Sequence, residues 1–324
     1  VAAPGASSGV SFADSSILDT FAQSIPAADF NGDGKVDLFT GEGLLLGNGD
    51  GTFTPLGPLG IPHQIYGPFA LGDFNSDGKL DVIAGLESDP SAGFVGGLQV
   101  LLGNGDGTFT LGQTILNGEY GVFATGDFNG DGIPDLAVFV ASANSATSDR
   151  IIILKRTGDG TFTALPGGPA IDSTDLNIVV GDFNRDGHAD LAITNYQGTS
   201  ATSPLTILLG NGDGTFTPGP VSASTGVDTD GIVVADFNGD GIPDLAVTNR
   251  RSSPPVNGVD AATGSVMILL GNGDGTFTPA GSPIVLTPTE GLAVGDFNGD
   301  GNADLAVADS VLDRGAVSVL LGNG

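Results

Sequence analysis

The sequence has no cysteine and no tryptophan, one methionine, two histidines and only nine lysine and arginine residues among 324. The absence of cysteine excludes disulfides, thiol catalysis and thiolate zinc sites. Against 38 acidic residues, nine basic ones leave a formal charge of −29. Phosphate contacts need Lys and Arg, so nucleic acid is a poor partner, and an anionic membrane surface is one for the same reason. No run of 18 apolar residues is present, so no membrane insertion is expected. The opening residues, Val1 to Gly5, carry neither the basic nor the apolar stretch of a signal peptide. With 40% hydrophobic and only 15% charged residues, the chain is unlike an acidic disordered one and must bury a core.

What the sequence has in abundance is glycine and aspartate, and both are organised by repetition. Asp-Phe-Asn-x-Asp-Gly-x-x-Asp occurs six times, starting at Asp29, Asp73, Asp127, Asp182, Asp236 and Asp296. Gly-Asp-Gly-Thr-Phe occurs five times, starting at Gly49, Gly105, Gly158, Gly212 and Gly273. Each unit reads as four short strands, A to D: in the fifth, A covers 232–237, B 244–248, C 265–270, and D starts at Thr276. The Gly-Asp-Gly segment between C and D is a hairpin signal, because Gly and Asp accept positive φ. Four strands per unit of this length predict an all-β protein, a β-propeller of four-stranded antiparallel blades, six by direct count. A single domain over 1–324 is expected, with 1–8 as an N-terminal tail and repeats centred on 29–37, 73–81, 127–135, 182–190, 236–244 and 296–304. The last unit lacks strand D, and Gly9-Val10-Ser11-Phe12 resembles the missing piece. The N-terminal strand is therefore expected to complete the last blade and close the sheet edges.

Each Asp-rich loop lies between strands A and B and carries a regular set of oxygens. Positions 1, 3, 5 and 9 offer side-chain oxygen, position 7 a main-chain carbonyl, and position 6 is always glycine. The six sets are Asp29, Asn31, Asp33, Lys35 and Asp37; Asp73, Asn75, Asp77, Lys79 and Asp81; Asp127, Asn129, Asp131, Ile133 and Asp135; Asp182, Asn184, Asp186, His188 and Asp190; Asp236, Asn238, Asp240, Ile242 and Asp244; and Asp296, Asn298, Asp300, Asn302 and Asp304. Three carboxylates on one tight turn repel one another unless a cation joins them. A flexible all-oxygen set suits calcium better than magnesium, which keeps water and demands an octahedron. About six calcium ions are expected, which would bring the formal charge to about −17. An EF-hand is excluded, because its position 12 needs Glu and here holds Thr40, Ala84, Val138, Ile193, Val247 and Val307.

The paired motifs resemble the FG-GAP/VCBS repeats of integrin α-subunit propellers and of many secreted proteins, over about residues 9–324. The resemblance implies calcium in the six A–B loops and an extracellular, secreted or cell-surface interaction scaffold. Members are often seven-bladed, which leaves seven as the alternative to six.

Antiparallel strands place the A–B and C–D turns at one end of each blade and the variable B–C and D–A connections at the other. Function usually sits on variable loops. Tyr66, Tyr120, Tyr196, Arg150, Arg250, Arg251 and Arg314 fall in or beside those connections and are the candidate ligand-binding residues. Nothing marks a catalytic residue; His63, His188 and the four glutamates form no recognisable constellation. The leading expectation is a non-enzymatic scaffold that binds a protein or glycan outside the cell. A lectin-like propeller is the alternative, and a polysaccharide lyase or hydrolase a further one.

Overall fold

A computed structural model describes residues 26–40, 43–50, 52–59, 65–86, 97–117, 122–140, 149–166, 168–171, 176–195, 205–220, 225, 227–251, 264–286, 289–309 and 316–324. Among them every regular element is a β-strand, in six antiparallel sheets. The chain divides into two compact units, residues 1–114 and 115–324.

The first unit carries two sheets. One is β1 (Ala27–Ala28), β2 (Asp37–Thr40), β3 (Gly43–Gly47) and β4 (Phe53–Gly57); the other is β5 (Ile65–Gly72), β6 (Asp81–Leu86), β7 (Gly97–Gly103) and β8 (Phe109–Asn117), the unit boundary falling inside β8. Phe39 of the first sheet meets Phe69 and Phe109 of the second edge-on, with ring centroids 5.4 and 5.5 Å apart.

The second unit carries the other four. They are β9 (Phe123–Gly126), β10 (Asp135–Val140), β11 (Arg150–Arg156) and β12 (Phe162–Ala164); β13 (Leu176–Gly181), β14 (Asp190–Asn195), β15 (Thr206–Gly210) and β16 (Phe216–Pro218); β17 (Val227–Ala235), β18 (Asp244–Arg251), β19 (Gly264–Gly271) and β20 (Phe277–Pro279); and β22 (Thr289–Gly295), β23 (Asp304–Asp309) and β24 (Ala316–Leu320). A short β21 (Ile284–Leu286) continues the outer edge of β19 beyond β20. Apart from β21, which pairs with β19, strand order follows chain order in every sheet, so successive strands are antiparallel neighbours.

The second strand of each sheet explains the motif that follows the last Asp. Leu136, Ala137 and Val138 are all fully buried, as are Val82, Ile83 and Ala84. A strand covered on both faces reads as a continuous apolar run rather than an alternation. Within the second unit the cores lie between successive sheets: Ile151, Ile153, Leu191 and Ile193 form one, and Ile207, Leu245, Val247 and Leu269 the next. Main-chain bonds add to this packing, with Gly214 N–H donating to Phe128 O at 2.8 Å and Gly275 N–H to Phe183 O at 3.0 Å.

The all-β class and the six repeat-built sheets agree with the sequence reading. Five sheets have their four strands, and the last shows three among the described residues. The strand expected to complete it, near Phe12, lies outside the described residues.

Candidate metal centre

Each Asp loop links the first two strands of its sheet and is folded by its own side chains. In the first, Asp29 Oδ1 accepts the N–H of Gly32 and Asp33 at 2.8 and 3.1 Å, and Oδ2 that of Gly34 at 2.8 Å. Asn31 Oδ1 accepts from Asp33, and Asp33 Oδ1 from Lys35, both at 2.9 Å. The same nest recurs around Asp73, Asp127, Asp182, Asp236 and Asp296. Such Asx turns are what Asp and Asn form with the residues just after them. Positions 4 and 6 are left-handed in every loop. Position 6 is always glycine, but position 4 is Ser76 in the second loop and Arg185 in the fourth, at φ 63° and 60°.

Position 9 has a second function that the sequence reading missed. Asp190 is fully buried, and its two oxygens accept the N–H of Gly210 at 2.7 Å and Phe183 at 2.8 Å. Asp37, Asp81, Asp244 and Asp304 do the same with Gly47, Gly103, Gly271 and Gly322 and with the Phe of their own loop. One carboxylate thus ties the start of the loop, the second strand and the end of the third. The glycine partner is required by close approach: a Cβ on Gly210 would stand 2.2 Å from the carbonyl oxygen of Ala189. Burial pushes the carboxyls of Asp81, Asp135, Asp190 and Asp244 above the ordinary aspartate range, and the position-5 carboxylate of the same loop adds to the rise.

The donor chemistry fits a hard cation. Oδ1 of each position-9 carboxylate accepts one strand-end N–H and keeps a second lone pair, and the field between positions 5 and 9 is repulsive as it stands. Among the described residues no group of three Asp, Glu or His converges as a ready-made metal cage. Closing a cage would therefore draw the exposed carboxylates of positions 1 and 5 toward the buried one. The residues at position 12 are buried in the second strands, consistent with the exclusion of an EF-hand.

The third loop departs from the rest. Lys155, on β11, places Nζ 2.9 Å from Asp131 Oδ2. In the first two loops the lysine at position 7 stands 3.4 and 3.7 Å from its aspartate. Main-chain N–H groups do most to hold Asp33, Asp77 and Asp300 below the usual range, whereas for Asp131 the Lys155 ammonium does most. Asp135 accepts its strand-end N–H from Arg156 at 2.9 Å, where the other five sheets present glycine.

The hairpin aspartates are turn formers. Asp213 Oδ1 accepts both the N–H and the hydroxyl of Thr215 at 2.9 and 2.5 Å, and Asp50, Asp106 and Asp274 repeat the pattern. The turn is closed by Asn211 N–H donating to Thr215 O at 3.0 Å.

Of the candidate ligand-binding residues, Arg150 is exposed at the start of β11, and Tyr66, Arg250 and Arg251 lie within β5 and β18. Tyr120, Tyr196 and Arg314 lie outside the described residues, as do His63, Glu42, Glu87 and Glu119. A cavity of about 360 Å³ lies at the loop end of the second unit, lined by Asp236, Asp296, Asn302 and Gly324. Lys155 and Arg156 contact the third loop and were passed over in the sequence reading. Their signal was there: at the places of Leu46-Gly47 and its four counterparts, the third repeat reads Lys-Arg.

The profile of the FG-GAP-like repeat matches residues 29–84, 73–138, 127–193, 186–247 and 258–307, and that of the FG-GAP repeat matches 229–269. No curated protein matches. Among solved structures, the V. cholerae biofilm matrix protein Bap1 is similar at 14% identity and a TM-score of 0.44, covering 93% of this chain and 68% of its own. An endo-arabinase of Bacteroides thetaiotaomicron is similar at 12% identity and 0.42, covering 75% and 90%. A mutant levansucrase of B. megaterium is similar at 12% and 0.43, covering 74% and 76%.

Proposed function

Because the chain belongs to the FG-GAP repeat family of β-propellers, we propose that it is a calcium-stabilised scaffold for binding or adhesion outside the cell. The observation that carries the metal reading is the buried position-9 carboxylate, repeated in all six sheets at full burial. In four of them the neighbouring carboxylates oppose its ionisation. A divalent cation between positions 1, 3, 5 and 9 removes that opposition and supplies the positive charge the loop lacks. Asp29, Asn31, Asp33, the Lys35 carbonyl and Asp37 would hold it in the first loop, and their counterparts in the others. The cation's role is structural, so the chemistry it supplies is charge neutralisation and nothing more.

We propose ligand recognition at the strand ends opposite the Asp loops, where Tyr66 lies on β5, Arg150 on β11 and Arg250 and Arg251 on β18. The metal reading is tested by following thermal unfolding with excess calcium and with chelator. One site at a calcium concentration 100 times its Kd adds about 2.7 kcal/mol, so a rise in Tm of many degrees is expected. An unchanged Tm overturns it. The binding role is tested by retention on immobilised extracellular glycans and matrix proteins, with Arg250→Ser and Arg251→Ser together expected to abolish it.

A further inference from the structure

We propose that the third Asp loop is neutralised from within the chain by Lys155, and that it takes up calcium more weakly than the other five. This rests on the calcium reading above and divides its six sites into two classes.

Two independent observations support it. The first is in the repeat itself. The residue two before the hairpin Gly-Asp-Gly is Gly in four repeats and the one before that is Leu (Leu46, Leu102, Leu209 and Leu270), and the sixth repeat carries the same pair as Leu321-Gly322. In the third repeat these are Arg156 and Lys155, two of the nine basic residues of the chain placed side by side at one loop. The Leu position is partly buried in four sheets, so the aliphatic stem of a lysine is accommodated there while its ammonium reaches out.

The second is in the hydrogen bonding. Lys155 Nζ lies 2.9 Å from Asp131 Oδ2, the position-5 carboxylate. In the first two loops the position-7 lysine, a residue of the loop itself, stands farther from that carboxylate, at 3.4 and 3.7 Å; in the fourth, fifth and sixth the carboxylate takes the amide of its own Asn, from Asn184, Asn238 and Asn298 at 2.8, 2.9 and 2.8 Å. In the third, the Asn129 amide has turned to Asp135 Oδ2, at 2.6 Å. The third loop has thus rearranged around an ammonium supplied from β11. A neutral amide yields to a divalent cation at little electrostatic cost. A tethered ammonium on the same oxygen must be displaced, or must remain and repel the incoming ion.

The experiment is calcium titration of the full chain, after removal of bound metal, by calorimetry and by equilibrium dialysis. The wild type is expected to show five tight sites and one about tenfold weaker or worse. Lys155→Leu restores the residue of the other repeats and is expected to bring the sixth site into the tight class, a tenfold gain or about 1.4 kcal/mol. Lys155→Gln, which keeps a polar side chain, is expected to do the same and covers the case that the leucine variant folds poorly. Six equivalent sites in the wild type, or a weak site unmoved in both variants, overturns the inference while leaving the calcium reading in place. No calcium uptake by any of the three proteins overturns the calcium reading itself.

Discussion

The carboxylate of Asp190 accepts the main-chain N–H of Gly210 at 2.7 Å, across two strands of one sheet. Its other oxygen holds Phe183 at 2.8 Å. A single buried side chain therefore fixes three segments that are 7 and 20 residues apart in sequence. Loop geometry and sheet geometry are thus not separable in this protein.

Replacing Asp190 with alanine leaves two buried N–H donors without an acceptor. Each such donor costs about 1–3 kcal/mol, partly offset by removal of a buried charge. A net loss of about 2 kcal/mol or more is expected from chemical denaturation. Asp190→Asn keeps one acceptor oxygen and is expected to lose less. Equal stability of wild type and Asp190→Ala would contradict the staple.

Phe183 is almost wholly buried and packs against Phe277 with ring centroids 5.5 Å apart. Truncating such a ring costs about 3–5 kcal/mol. Phe183→Ala is therefore expected to lose that much in the same denaturation experiment, so the phenylalanine of the motif is a core residue.

Ser76 is held at φ 63°, a conformation that favours glycine, and four of the other five loops have glycine there. The left-handed conformation costs a non-glycine residue about 1–2 kcal/mol, and the looser unfolded chain of a glycine returns part of it. Ser76→Gly is expected to raise stability by about 0.5–1 kcal/mol, read as a higher denaturation midpoint with an unchanged slope.

The hairpin turns set an acid limit. The Thr215 hydroxyl, followed by its N–H, holds the Asp213 carboxyl below the ordinary aspartate range, and Asp50, Asp106, Asp159 and Asp274 are held likewise by their own threonines. A pKa depressed on folding means stability that is complete above the unfolded value, about 3.9, and is lost as pH falls through the native one. Four of the six buried position-9 aspartates, Asp81, Asp135, Asp190 and Asp244, run the other way. Their raised values give a contribution that is present below about pH 3.9 and lost as pH rises through the native values. Thr215→Val is expected to be less stable than wild type at about pH 6, with the gap closing below about pH 3.9. A gap that stays constant down to about pH 2 would remove the hydroxyl from this account.

The sequence by itself determined the repeat, the all-β class, the loop and hairpin positions and the oxygen pattern, because these depend on contacts within a few residues. Asx turns, left-handed glycines and the apolar run after each Asp loop are local, and repetition made them legible six times over. Only the tertiary structure decided what the ninth residue does. One of the two N–H groups it accepts comes from the end of a strand that adjoins it only after the sheet has formed, so position 9 reads in sequence as one more loop oxygen and in space as a staple. The same holds for Lys155, an ordinary strand residue in the linear chain. Pairing of β10 with β11 in register carries its ammonium to Asp131, and that placement makes one of six near-identical loops unlike the rest.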